Sequence, residues 1–340
     1  MSGSYRKRAL SSTSLPIIDI SPYLASAPAC SAEDKAAVAS SLHAACRDIG
    51  FFYLRTSSLL SSKECADILD LGRVFFARPQ EEKHLIALDH SDGCRGYQRL
   101  NRNITQGRAD HHEGLDLYAP SPYTTTSGSG GQPRPLEGPN LWPQKPERMK
   151  SVLGMWTEKM KVLGMAVMEG MADGLGMRDD EWRELKGLVD ESFWVMRVIG
   201  YPPLPDGADG ISCGEHKDYG CLTFLLADPC PGSLQVLPRQ SPTWLPADPI
   251  DGCVVVNIGA MWELWSGGLY PATLHRVVHR SPTYRVSVPF FFEPNFNANV
   301  KLLDAARRKA RDEGRAFPRD EGETVYGEYL LKKVGGNFKY

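Results

Sequence analysis

The sequence predicts an α+β fold in which antiparallel strands form a sandwich or jelly roll and helices pack on it from both ends of the chain. Three observations carry this reading. Between Phe193 and Phe292, six short β-type runs follow one another: FWVMRVIGY, CLTFLL, SLQVL, CVVVNIG, ATLHRVV and RVSVPFFF. Gly, Pro and Asp split them, and no crossover helix separates them, which argues against a parallel α/β sheet. The flanking regions carry the 3.6-residue apolar spacing of helices instead.

Taken in order, Leu15-Pro-Ile-Ile-Asp-Ile20 reads as a short entering strand. Ser31 caps a helix with Glu33 and Asp34 in its first turn, which runs to Gly50 and gives way to the strand-like Phe51-Phe-Tyr-Leu54. Ser61-Ser-Lys-Glu64 is a second capping box, opening a helix with apolar Ile68, Leu69 and Leu71. Over residues 89–143 the periodicity fades. Ser127-Gly-Ser-Gly-Gly131 with Pro133, Pro135 and Pro139 predicts an irregular excursion there, long enough to suggest function; whether it closes over a substrate stays open. Helical spacing returns over 150–175, where Val152, Met155, Trp156, Met160, Leu163 and Val167 form a core-facing stripe. After the strands, 300–311 and 324–333 are amphipathic and predict outer helices.

Composition narrows the function. Hydrophobic residues make up 42% and charged residues 24%, so the chain can bury a core. A formal charge of −2, from 39 basic and 41 acidic residues, argues against a nucleic-acid partner. No apolar run approaches the roughly 18–20 residues that span a bilayer, and the basic start MSGSYRKRALSSTSLP has no apolar stretch behind it. The expectation is a cytoplasmic protein without a membrane partner, a monomer by default. Eight cysteines without a CxxC pair read as free thiols.

The chemistry concentrates in Gly214-Glu-His216-Lys-Asp218-Tyr-Gly220. A period of two turns His216 and Asp218 to one face of an extended segment, where they form a metal-chelating pair. His275 is the only other histidine within a β-run that could supply a third ligand. Two imidazoles and one carboxylate leave half an octahedron open, which suits ferrous iron in an oxygenase better than a closed zinc site. Further on, Arg285 and Ser287 share one face of a strand. An inward guanidinium needs an anion, and its fork fits a carboxylate. Tyr201 adds a third donor from a neighbouring strand, or is a core tyrosine bonded to backbone.

With these residues in place, the chain resembles the Fe(II)/2-oxoglutarate-dependent dioxygenases, in the branch of isopenicillin N synthase and the plant flavonoid oxygenases. The matching strings span nearly the whole chain: Leu15-Pro-Ile-Ile-Asp-Ile20, Asp48-Ile-Gly-Phe-Phe-Tyr53, Tyr201-Pro-Pro203, His216-Lys-Asp218, Asn257-Ile-Gly259, Leu264-Trp-Ser-Gly-Gly268, His275-Arg-Val277 and Arg285-Val-Ser287. The resemblance implies a distorted double-stranded β-helix (jelly roll) of two sheets and iron held by His216, Asp218 and His275. It implies 2-oxoglutarate as cosubstrate, its far carboxylate meeting Arg285 and Ser287 with Tyr201 assisting, and O2 as oxidant. The corresponding division is an N-terminal helical region over 15–135, the oxygenase core over 192–296 and C-terminal helices over 297–340. The reaction would oxidise a C–H bond of a small-molecule substrate by hydroxylation, desaturation or cyclisation, as in metabolite biosynthesis. Two departures stand out. Ile199 occupies the place where relatives often carry asparagine, and Ala260 the place of a common acid. The competing readings are an iron oxidase that uses no 2-oxoglutarate and a ligand-binding relative that has lost turnover.

Other residues have two readings each. His275 and His279 have the spacing of a zinc pair on a helix, but the surroundings are strand-like and His279 is expected to be exposed; His111-His112-Glu113 would sit in a solvated loop or, as the lesser reading, contact substrate. Arg99, Arg102 and Arg108 with Tyr97 would form a lid or make local surface ion pairs. Arg197 would face the pocket or form a structural ion pair. Cys213 and Cys221 flank the metal strand and read as packing residues.

Overall fold

The computed structural model describes residues 14–25, 30–90, 94–120, 136, 138–205, 207, 211–239, 241–316, 320 and 322–337. Ser127–Gly131, Pro133 and Pro135 of the predicted excursion lie outside the described residues. The N-terminal part runs β1 (Ile17–Asp19), α1 (Ala32–Asp48), β2 (Phe51–Arg55), α2 (Ser62–Phe76), α3 (Gln80–His84), β3 (Gly96–Gln98), β4 (Ile104–Thr105), β5 (Arg108–Ala109), β6 (Glu113–Tyr118), α4 (Met149–Leu175) and α5 (Asp179–Lys186). The central part follows as β7 (Val195–Tyr201), β8 (Ile211–His216), β9 (Leu222–Ala227), β10 (Leu234–Leu237), β11 (Leu245–Pro246), β12 (Cys253–Ile258), α6 (Ala260–Trp265), β13 (Leu274–Val278) and β14 (Arg285–Phe292). The chain closes with β15 (Asn299–Val300), α7 (Asp304–Asp312), β16 (Thr324–Val325) and α8 (Tyr326–Asn337).

An eight-stranded sheet in the order β1-β2-β12-β9-β14-β7-β6-β3 and a four-stranded sheet in the order β11-β10-β13-β8 enclose a cavity between them. This is the expected α+β architecture with a jelly-roll core. Both serine capping boxes form, Ser31 with Asp34 and Ser61 with Glu64, which fixes where α1 and α2 begin.

Alternation along β14 explains how the sheet serves two environments. Val286, Val288, Phe290 and Phe292 are at most 1% exposed and face α2 and α4, while Arg285, Ser287, Pro289 and Phe291 line the cavity. Small residues let the helices approach. A Cβ at Gly72 would come within 2.9 Å of Val198 and Val286, and one at Gly164 within 2.3 Å of the Phe292 ring. Met155 departs from the predicted helical stripe: it is 63% exposed, because the buried arc of α4 runs through Trp156, Met160, Leu163 and Val167.

The predicted irregular stretch contains real structure. Glu113–Tyr118 is a fully buried strand paired with β7. Its sequence EGLDLY hides this, because Glu113 and Asp116 are buried polar residues and carry partners. Lys83 Nζ donates to Glu113 at 2.7 Å and to the Phe76 carbonyl at 2.9 Å, and the hydroxyls of Tyr97 and Tyr284 donate to the same carboxylate at 2.5 and 2.8 Å. Among the described residues no helix is long and apolar enough to cross a membrane. All eight cysteines are free thiols.

Candidate active site

Strand pairing brings the two distant histidines together. His216, the last residue of β8, is the cross-strand partner of His275 on β13, and their ring centroids are 4.2 Å apart. Asp218 follows in the turn toward β9. Its Oδ1 lies 3.7 Å from His216 Nε2 and 3.6 Å from His275 Nε2. One donor atom from each of the three falls within 4.8 Å of the others, a spread that a single ion bonding at about 2.0–2.2 Å could draw in.

Every other polar atom of these side chains is occupied. His216 Nδ1 meets the Gly214 carbonyl at 2.8 Å and His275 Nδ1 meets the Thr273 carbonyl at 3.1 Å, which puts a proton on each Nδ1 and turns both Nε2 atoms toward Asp218. Asp218 Oδ2 accepts from Thr223 Oγ1 at 2.5 Å and Asn257 Nδ2 at 2.6 Å, so Oδ1 is the free oxygen. Thr223 and Asn257 are themselves cross-strand partners on β9 and β12. Burial works against the Asp218 charge, but His275, His216 and these two donors outweigh it and hold the carboxyl below its usual range. Burial, then repulsion from a charged His216, pushes His275 down to about 4, while at His216 burial is overcome by Cys213 and Asp218, which raise it to about 10, so the pair holds one proton against Asp218 that a bound metal ion would displace. The set therefore fits ferrous iron, with the opposite side open to the cavities.

The short strings seen in the sequence shape this corner. Gly259 passes under the Asp218 turn, where a Cβ would lie 2.3 Å from the Gly220 carbonyl, and the Ala260 amide donates to the Asp218 carbonyl at 2.9 Å. Phe51 packs edge-on against His275 at 5.2 Å.

Register aligns the second group. Arg285 pairs with Tyr201 across β14 and β7, and Ser287 with Ile199. Arg285 is 2% exposed, and its Nε and Nη1 have no hydrogen-bond partner. Its guanidinium lies 4.8 Å from the Tyr201 ring centroid. Burial pushes the Tyr201 hydroxyl up to about 12, so it stays a neutral donor, and it meets Ser287. A buried guanidinium with two unbonded nitrogens beside two hydroxyls has the chemistry to receive a carboxylate. The inner cavity joins this group to the histidine pair, and an outer cavity opens on the other side of His216 and Asp218.

The comparisons with known proteins agree with this geometry. Residues 15–145 match the family described as non-haem dioxygenase in morphine synthesis N-terminal, and residues 191–294 match the 2OG-Fe(II) oxygenase superfamily. The chain belongs to the 2OG-Fe(II) oxygenases. A homoarginine-6-hydroxylase from Oryza sativa subsp. japonica is 38% identical over 331 residues, covering 95% of this chain and 97% of that protein. A homoarginine-6-hydroxylase from Glycine max is 38% identical over 335 residues, covering 96% and 98%. Among solved structures, a 2OG-Fe(II) oxygenase family protein from Caulobacter crescentus has a TM-score of 0.76 at 26% identity, covering 96% of this chain and 99% of that one. A full-length Neurospora crassa protein solved in complex with alpha-KG shares the fold at a TM-score of 0.76 and 23% identity, covering 95% and 96%. The protein is thus a non-haem, Fe(II)- and 2-oxoglutarate-dependent oxygenase that uses O2 to oxidise a C–H bond of a small organic molecule.

Several expectations about the oxygenase's other residues need correction. His112 is 1% exposed, not solvated: it is held through Nδ1 to the Ser212 carbonyl at 3.1 Å and faces the Tyr201 ring. His279 is fully buried and bonds the Thr283 carbonyl at 2.9 Å. Tyr97 is buried against Glu113, while Arg99, Arg102 and Arg108 are exposed. The part of that stretch lining the outer cavity is Asn103–Gln106 instead, whose Gln106 side chain donates to the Glu215 carbonyl. Both readings of Arg197 hold, since it lines both cavities and its Nε donates to Asp116 at 2.7 Å. Cys221 packs against Met168. Thr223, Glu293 and the role of Asn257 escape a reading of the sequence. The strings containing Thr223 and Asn257 are visible there, but only the strand register shows that they converge on Asp218.

Proposed function

We propose that this oxygenase hydroxylates a free cationic amino acid, with His216, Asp218 and His275 holding the iron and Arg285, Ser287 and Tyr201 binding the far carboxylate of 2-oxoglutarate. The observation that carries the metal assignment is the convergence of two Nε2 atoms and one Oδ1 whose companion atoms are all tied to protein. The substrate class is supported by the printed activity of relatives that are 38% identical over almost the full chain. It is also supported by an outer cavity holding both signs of charge, in Arg197, Asp116 and Glu293.

When bound, Fe(II) supplies the activation of O2, and the conversion of 2-oxoglutarate to succinate and CO2 provides the two electrons that balance hydroxylation. The chain does the positioning. Thr223 and Asn257 fix the rotation of Asp218, and Thr273 and Gly214 fix the imidazoles. Arg285 gives the cosubstrate its direction, and Phe291 and Pro289 keep the space between apolar. In this reading 15–135 supports the core, 192–296 carries the reacting groups, and 297–340 closes the outer cavity through Tyr326, Leu330 and Lys333. Eight free thiols fit a reducing compartment, which supports a cytoplasmic location for the protein, taken here as a monomer.

The test supplies Fe(II), 2-oxoglutarate, O2 and L-homoarginine, L-arginine or L-lysine, and follows succinate and the hydroxylated product. His216→Ala is expected to abolish both. Succinate at the wild-type rate in that variant overturns the metal assignment, and the absence of product from all three amino acids overturns the substrate class.

A further inference from the structure

The cavity face of β14 leads from one buried charge to another. Arg285 stands at the inner cavity, Ser287, Pro289 and Phe291 follow on the same face, and the next residue in that alternation is Glu293, at the outer cavity. Glu293 is 3% exposed. Its Oε2 accepts the Cys221 amide at 2.6 Å, and among the described residues no lysine, arginine or histidine pairs with it. Gly220 makes the room, since a Cβ there would lie 1.7 Å from Oε1. Burial, with repulsion from Asp218 adding to it, drives the carboxyl well above its usual range despite the Cys221 amide and the Tyr326 hydroxyl beside it. Arg197 on the same cavity differs in already having Asp116 as its partner. Arg197 is therefore paired there, while Glu293 has hydrogen-bond partners but no counter-charge among the described residues, and a cation brought beside it would favour its ionised form.

We propose that Glu293 is the subsite for the cationic end of the substrate, a guanidinium or primary ammonium group, and that it selects against neutral isosteres. The choice of probes rests on the amino-acid reading above. A fork of N–H donors meeting a buried carboxylate gives a charge-assisted pair that a neutral group of the same shape cannot replace. Glu293 sits beyond the turn that carries Asp218, so a substrate held there by its cation would present its chain to the open side of the iron.

Calorimetric titration of the Zn(II)- and 2-oxoglutarate-loaded protein reads binding without turnover. L-homocitrulline replaces one terminal nitrogen of L-homoarginine by oxygen and removes the charge. The wild-type protein is expected to favour L-homoarginine by roughly 30- to 4000-fold, the range for removing one partner of a buried charge pair. Glu293→Gln keeps an acceptor for the Cys221 amide and is expected to erase that preference while leaving 2-oxoglutarate affinity unchanged. Equal affinity of the wild-type protein for the two ligands overturns the proposal without reference to any variant, and so does a preference that survives in Glu293→Gln. Agmatine, a guanidine without the carboxylate, separates the two levels of inference. If it binds in a Glu293-dependent manner while no basic amino acid is oxidised, the cation subsite stands and the amino-acid reading falls. If neither agmatine nor L-homoarginine binds, both fall.

Discussion

Replacing Asn257 with leucine keeps the side-chain volume and removes one of the two bonds on Asp218 Oδ2. That bond is 2.6 Å long, buried, and made to a carboxylate, with Thr223 supplying the other at 2.5 Å. A hydrogen bond to a charged group contributes about 1.5–3 kcal/mol, and each 1.4 kcal/mol is about a factor of ten. Loss of this bond should therefore weaken metal binding roughly 10- to 100-fold, the range known for partners that orient metal ligands. Anaerobic titration with Co(II), followed by its visible absorption and run without 2-oxoglutarate, isolates the metal step. Asn257→Leu and Thr223→Val should each show the loss, and the double variant should lose at least the product of the two. Co(II) affinity equal to wild type in a normally folded Asn257→Leu protein would refute the claim that Oδ2 must be tied down for Oδ1 to ligate.

Arg285→Met should raise the 2-oxoglutarate dissociation constant by roughly 30-fold or more. The same change should raise the unfolding temperature of the ligand-free protein, because an unpaired buried guanidinium gives way to an apolar side chain; differential scanning calorimetry with and without 2-oxoglutarate reads both effects. Lys83→Met leaves the Glu113 carboxylate with only its two tyrosine donors, and should lower stability by about 3–5 kcal/mol in urea titration. Adding Glu113→Gln should recover part of that loss. Gly164→Ala drives a methyl group into the Phe292 ring and should cost about 1–3 kcal/mol in the same assay, with α4 pushed off β14.

What the sequence makes legible is what period-two alternation and short-range chemistry encode. His216 and Asp218 are two residues apart, and so are Arg285 and Ser287, so one rule places each pair on a face without knowledge of the fold. The serine capping boxes work over four residues and are equally visible. Glu113–Tyr118 is not, because its buried acids look like loop residues until Lys83, Tyr97, Tyr284 and Arg197 arrive from elsewhere in the chain. His112 and His279 mislead for the same reason: their partners are backbone carbonyls, which leave no mark in a sequence. Glu293 reads there as no more than a polar residue ending an apolar run.

The large sheet interleaves strands from distant parts of the chain: β2 is hydrogen-bonded to β12, and β6 to β7. A ribosome working at 5–20 residues per second releases Phe51–Arg55 roughly ten to forty seconds before the strand that must zip onto it. Through that interval β1 can pair with β2 and β3 with β6, but the edges of β2 and β6 that will meet β12 and β7 have no partner. Production of the full-length enzyme should thus respond to chaperone supply, and fragments ending before residue 258 should accumulate in inclusion bodies, even though the family signatures divide the polypeptide into two seemingly separable pieces.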